Sequence, residues 1–200
     1  MEYLRWIMQE GYLEAFPFQT ENDEIKKGIQ SLKNYIRTHD VLQEREFDAL
    51  HWDYTRMFIG PDKLLAPLWE SAYVQENRLL FQEQTLKVRQ AYLKYNVLPK
   101  QFKREADDHL GLELDFMYQL SLHALNAVSK GDLSRLTLLL DDQKTFLFEH
   151  LLKWVPDLSK AIIESANLDF YRAMANILKG FCTVDFEALK ELLGINSMVP

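Results

Sequence analysis

Apolar residues recur along most of this chain at steps of three and four, the spacing of one helix face. Tyr3, Leu4, Ile7, Met8 and Tyr12 carry the pattern over residues 2–15, and Pro17 closes it. Ile25, Ile29, Leu32 and Ile36 repeat it from Glu21 to Thr38. Phe47, Leu50, Tyr54, Met57 and Phe58 define a third helix, which Gly60-Pro61 should stop: glycine accepts a left-handed cap and proline forbids another turn. Periodicity then fails from 60 to about 80, and a connection that long is more often functional than accidental. It returns at Thr85–Tyr95 through Leu86, Val88, Tyr92 and Leu93.

Two stripes run along residues 107–129. Leu110, Leu114, Met117, Ala124 and Val128, with Ser121 in register, form one; His109, Glu113, Phe116, Leu120, His123 and Ala127 form the other. A helix apolar over more than half its circumference is expected at the centre of a fold. Asp107 or Asp108 stands where its N-cap belongs. Beyond Gly131, Asp132 reads as the cap of a leucine-rich helix that continues through Phe146, Leu147, Leu151 and Trp154 to a break at Pro156. Further helices are expected at Pro156–Ala166, Leu168–Phe181 and Val184–Leu193, the last capped by Gly194. Without a period-two strand or an internal repeat, the pattern predicts an all-α fold. We expect a single all-helical domain over residues 1–200, a compact bundle of roughly eight to ten helices. The polar stretch Lys100–Glu105 is the best internal linker and places a hinge near 96–106.

Composition narrows the function. With 23 Lys and Arg against 30 Asp and Glu, the net charge of −7 disfavours nucleic acid or anionic lipid as a ligand and favours a basic partner. A single cysteine, Cys182, excludes an internal disulfide and a cysteine-only metal site. The first residues carry no basic, apolar signal pattern, and no apolar run approaches the ~20 residues of a membrane span. A cytoplasmic location is expected.

Two irregular stretches hold the candidate chemistry. Asp107, Asp108, His109 and Glu113 gather at a helix mouth, with His109 and Glu113 four apart on one side. Around a divalent metal, Asp108, His109 and Glu113 would make a phosphoester or nucleotide hydrolase. That alternative lacks a third and fourth ligand of the usual type, and nothing nearby reads as a nucleophile elbow or a phosphate-cradling loop. A purely structural role leaves an acidic cap and a Glu113 satisfied by a neighbouring Arg or Tyr. Carboxylates flanked by apolar side chains also suit a guanidinium, which bonds them bidentately and tolerates partial desolvation. The second stretch presents Leu68, Trp69 and Tyr73 with Glu70 and Ser71: either a loop pinned to the core by Trp69, or the wall of a groove for an apolar peptide. His39, His51, His123 and His150 are scattered and read as hydrogen-bonded or surface residues.

Tyr54-Thr55-Arg56-Met57-Phe58-Ile59-Gly60-Pro61, Pro67-Leu68-Trp69-Glu70-Ser71-Ala72-Tyr73 and Asp108-His109-Leu110-Gly111-Leu112-Glu113-Leu114-Asp115-Phe116-Met117, in that order, resemble the TorD/DmsD family of molybdoenzyme maturation chaperones. Phe146 to Pro156 and Phe170-Tyr171 are similar to its C-terminal half. The resemblance implies an all-helical cytoplasmic chaperone with no enzymatic activity and no cofactor of its own. It implies binding of the twin-arginine signal peptide and the apo form of a molybdopterin oxidoreductase until cofactor insertion, which prevents premature export. In the family the Trp-Glu-Ser loop and the Asp-His helix start line the peptide site; here these are Trp69, Glu70, Ser71, Asp108 and His109, with Asp107 adjacent. The expected peptide-binding set is therefore Leu68, Trp69, Glu70, Ser71, Tyr73, Asp107, Asp108, His109 and Glu113. No catalytic residue and no metal ligand is expected.

Overall fold

Asn22 starts the first long helix by accepting the N–H groups of Glu24 and Ile25 on its side-chain oxygen at 2.9 and 3.0 Å, and Asp23 and Glu24 complement the positive helix end. In a computed structural model, which describes residues 2–196 apart from 10, 62, 75–82 and 98–104, the chain is all-α. The helices are α1 (Glu2–Ile7), α2 (Asp23–Thr38), α3 (Glu44–Tyr54), α4 (Ser71–Val74), α5 (Glu83–Lys94), α6 (Leu110–Ser129), α7 (Leu133–Phe146), α8 (Leu152–Ser165) and α9 (Asp169–Asn196). Two wider π-helical turns, Thr55–Ile59 and Leu147–Leu151, extend α3 and α7. The hinge expected near 96–106 falls largely on residues outside those described.

By its internal contacts the chain divides into two compact units. One comprises Met1–Pro67 with Val155–Val184. Its core joins Ile25, Ile29 and Leu32 of α2 to Leu50 of α3 and to Phe170, Ala173 and Ile177 of α9. Glycines set the approach of α2 to α9: a Cβ on Gly28 would stand 2.7 Å from Ile177 Cγ1, and one on Gly180 would stand 2.6 Å from Asn22 Oδ1. Asp53, buried on α3, accepts the N–H groups of Asn167 and Leu168 at 3.0 and 2.9 Å and so serves the orphan donors at the start of α9. Gly60, at φ 80°, ends the first π-turn with its N–H on Thr55 O at 2.8 Å, as Gly60-Pro61 led us to expect.

The other unit comprises Leu68–Trp154 with Asp185–Pro200. Phe116 of α6 packs its ring 4.8 Å from those of Tyr92 (α5) and Phe146 (α7). Asp132 caps α7 as expected, its carboxylate accepting Arg135 N–H at 2.9 Å.

Several boundaries differ from the sequence expectation. Residues 2–15 do not make one helix: α1 ends at Ile7, and Gly11 takes a positive φ of 83°. Pro156 does not break the chain; it sits in the opening turns of α8, directly after the second π-turn, where the hydrogen-bond ladder is already interrupted. The segments 168–181 and 184–193 are one helix, α9, and Gly194 lies inside it. α6 is not covered on all sides. It buries Glu113, Phe116, Met117, Leu120, Ala124 and Ala127, while Tyr118, Leu122, Leu125 and Val128 are exposed.

Candidate functional site

The irregular stretch acquires order by pairing with the approach to α6. Leu110 N–H donates to Leu68 O and Glu70 N–H donates to Asp108 O, both at 2.9 Å, so Trp69 and His109 face each other in an isolated antiparallel bridge. A loop that carries buried backbone polar groups needs such partners. Asp108 adds two more: its carboxylate accepts Ser71 N–H at 2.9 Å, capping α4, and the Thr85 hydroxyl of α5 at 2.9 Å. One residue therefore ties loop, α4 and α5 to the start of α6, the loop through its carbonyl and the two helices through its carboxylate.

The other acids are equally engaged. Arg89 Nε donates to Asp107 at 2.6 Å, and the Tyr92 hydroxyl donates to the Asp107 carbonyl at 2.8 Å. Glu70 accepts Gln84 Nε2 at 2.7 Å and contacts His150 Nδ1 at 2.9 Å. Trp154 Nε1 donates to Glu113 Oε2 at 3.1 Å, while Glu113 Oε1 meets no donor. Complete burial, then the negative charge of Glu70, holds the Glu113 carboxyl well above the usual carboxylate range. Kept protonated, Glu113 becomes a donor toward Glu70, which resolves its orphaned oxygen.

His109, not Asp107 or Asp108, is the N-cap of α6: its Nδ1 accepts Gly111 N–H at 3.0 Å. Burial pushes its imidazole below the usual range, against the opposing pull of Glu105 and Asp108, and a neutral ring suits that acceptor role. The Trp69 indole meets the His109 ring edge-on at 5.5 Å and donates its N–H to Glu105 Oε1 at 2.8 Å. Tyr73 stacks on Trp154 at 5.6 Å, and Trp154 in turn holds Glu113.

The nine expected residues thus fall in one unit and in one connected network. Three of its acids reach α5: Asp107 through Arg89, Asp108 through Thr85 and Glu70 through Gln84. Their accessibility differs from the expectation. Glu70, Ser71, Asp107, Asp108 and Glu113 are at most 1% exposed, so those acids do not stand free on a rim. Leu68, Trp69, Tyr73 and His109 are half-buried, and Glu105 is exposed beside Trp69. What the site offers a ligand is an apolar, aromatic edge with one adjacent carboxylate; the buried acids hold that edge in place. Sequence reasoning missed Gln84, Thr85, Arg89, Glu105 and Trp154 as members and set His150 aside as scattered. Among the described residues no group of three or more His, Cys, Asp and Glu could hold a metal ion.

A family model described as the nitrate reductase delta subunit matches residues 19–160, most of the chain, and the protein belongs to that family. Its relatives include a protein named chaperone protein TorD from Aliivibrio fischeri (strain ATCC 700601 / ES114), 30% identical over 186 residues, which cover 92% of this chain and 85% of that one. TorD proteins of Aliivibrio salmonicida (strain LFI1238) and Vibrio atlanticus (strain LGP32) are 28% and 25% identical, over 92% and 84% of this chain and 85% and 77% of theirs. The TorD family is thus the one its motifs resemble. No helix among the described residues is long and apolar enough to cross a membrane.

Proposed function

We propose that the protein is a cytoplasmic chaperone for a molybdenum-cofactor oxidoreductase. It binds the twin-arginine signal peptide and the apo form of that client, assists cofactor insertion and prevents premature export. It catalyses no reaction of its own. The observation that carries this reading is the bridge between Trp69 and His109, which joins the two stretches of sequence that resemble the chaperone family around one partly open aromatic edge. The apolar part of the signal peptide lies along Leu68, Trp69 and Tyr73, and a guanidinium meets Glu105 beside the Trp69 indole. Asp107, Asp108, Ser71, Glu70 and Glu113 position this edge from beneath. A micromolar complex requires about −8 kcal/mol, within reach of a few desolvated aromatic contacts and one charge-assisted bond.

Calorimetric titration with a synthetic twin-arginine signal peptide tests the reading. Saturable micromolar binding, lost when both arginines are replaced by alanine, supports it. No binding, or binding indifferent to that replacement, contradicts it.

A further inference from the structure

Between α5 and α7 lies a cavity of about 170 Å³ with an almost wholly apolar lining. The buried rings of Tyr95, Phe116, Phe146 and His150 wall it. Ala91 of α5 is the small residue that leaves the space open, and the exposed Thr145 of α7 stands at its mouth. An unfilled hole of this kind forfeits dispersion contacts along its walls. A leucine at position 91 would restore many of them and suit the helix as well, so the opening is not forced by the fold.

One wall is polar, and it narrows the chemistry of an occupant. His150 Nδ1 stands 2.9 Å from Glu70 Oε2, and a carboxylate facing that nitrogen places the ring proton there. Nε2 is left to accept, and it has no hydrogen-bond partner among the described residues. His150 is only 7% exposed and lines the cavity, so a ligand there meets an unfilled acceptor. An aromatic ring with one N–H or O–H donor, as in tyrosine or tryptophan, satisfies both the ring walls and that nitrogen. Size narrows it further. Drug-sized ligands occupy about 300–1,000 Å³, whereas this space admits one ring. The rest of the ligand must lie outside the mouth, as a polypeptide backbone does behind an anchoring side chain. Acids outnumber bases in the lining: Lys94 pairs with Asp142 at 2.6 Å, and Glu149 is paired only to Lys153, which lies outside it. With a chain charge of −7, that rim suits a basic segment.

We propose that this cavity is a docking site for a single tyrosine or tryptophan side chain from a basic polypeptide segment. The ring seats among Tyr95, Phe116 and Phe146, and its donor reaches His150 Nε2. The site is separate from the Trp69 edge, although His150 also holds Glu70 of that loop through Nδ1. The inference does not rest on the chaperone reading. The probes that test it carry no arginine, so its outcome is independent of the signal-peptide titration.

NMR of the full chain, titrated with the peptide N-acetyl-Lys-Tyr-Lys-amide, tests the proposal. Saturable shifts are expected at the His150 ring and the Phe146 amide, with a dissociation constant of about 1 mM or below, the range of one anchor. Ala91→Leu, which fills the cavity from α5, should weaken binding at least about tenfold while the melting temperature holds or rises. Thr145→Leu, which closes the mouth from α7, should do the same. The peptide with phenylalanine in place of tyrosine should bind at least about threefold more weakly for want of its donor, and the one with alanine should not saturate. A titration that leaves the His150 ring unmoved overturns the proposal. So does equal affinity in both filled variants, or equal affinity for the tyrosine peptide and either of its replacements.

Discussion

Asp108 Oδ2 accepts the backbone N–H of Ser71 at 2.9 Å, across 37 residues of sequence. Its other oxygen takes the Thr85 hydroxyl, and its main-chain carbonyl takes Glu70 N–H. Two separate segments, the Glu70–Ser71 stretch and α5, are therefore fastened to one buried residue, each by a bond to its side chain. Replacing Asp108 with alanine leaves a buried amide and a buried hydroxyl without partners. Each hydrogen bond to a charged group contributes about 1.5–3 kcal/mol, so a loss of about 3 kcal/mol is expected in urea denaturation. Hydrogen exchange should accelerate at Trp69–Val74 before it does elsewhere. Unchanged stability would show that Asp108 acts as a ligand contact instead of a fastener.

How far the sequence disclosed this arrangement depended on the range of the interaction. The stop at Gly60, the cap at Asp132 and the faces of α2 and α3 follow from neighbours a few residues apart, and they were legible. The juxtaposition of the Trp69 and His109 stretches was anticipated only through the family motifs. The partners that bury the acids were not visible, because Thr85 lies 23 residues from Asp108 and His150 lies 80 from Glu70. Nothing local distinguishes a His150 that braces a loop from one that is solvated. Pro156 misled for a related reason: the π-turn before it has no sequence signature that periodicity detects.

Glu113 makes stability depend on pH. Its folded pKa is raised, by burial first and by Glu70 second, so the folded state holds a proton that the unfolded chain releases in the ordinary carboxylate range. Stability contributed by this group should therefore fall as pH rises from that range toward its folded pKa. Glu113→Gln retains an acceptor for Trp154 and a donor toward Glu70 without the titration. Denaturation at pH 5 and pH 8 should show a smaller decline for this variant than for the parent. An identical decline in both would place the titration elsewhere.

Gly28 fixes how closely α2 approaches α9. A methyl group there would stand 2.7 Å from Ile177 Cγ1 and 2.8 Å from Ala173 O, the latter a backbone atom that cannot rotate away. Gly28→Ala should destabilise the protein by about 1–3 kcal/mol through overpacking, outweighing its gain in helix propensity. Thermal melting decides this: an equal or higher Tm would mean that the helices separate without cost.

Asp53 supplies a comparable support at the start of α9. Asp53→Ala removes the acceptor for the Asn167 and Leu168 N–H groups and the partner of Arg56, which stands 2.7 Å away. A loss of about 2–3 kcal/mol is expected in the same denaturation assay, with the first turn of α9 exchanging faster. Peptide affinity should stay unchanged if that turn serves stability alone.

The central claim is that the Trp69 edge, braced by the bridge to His109, receives the signal peptide. Titrating one twin-arginine peptide into the parent chain and into Trp69→Ala measures it most directly. The half-exposed indole supports little of the core, so the variant should melt near the parent temperature while its affinity falls at least about tenfold, the loss of a single aromatic anchor. Equal affinity for the two proteins, both folded, would contradict the assignment.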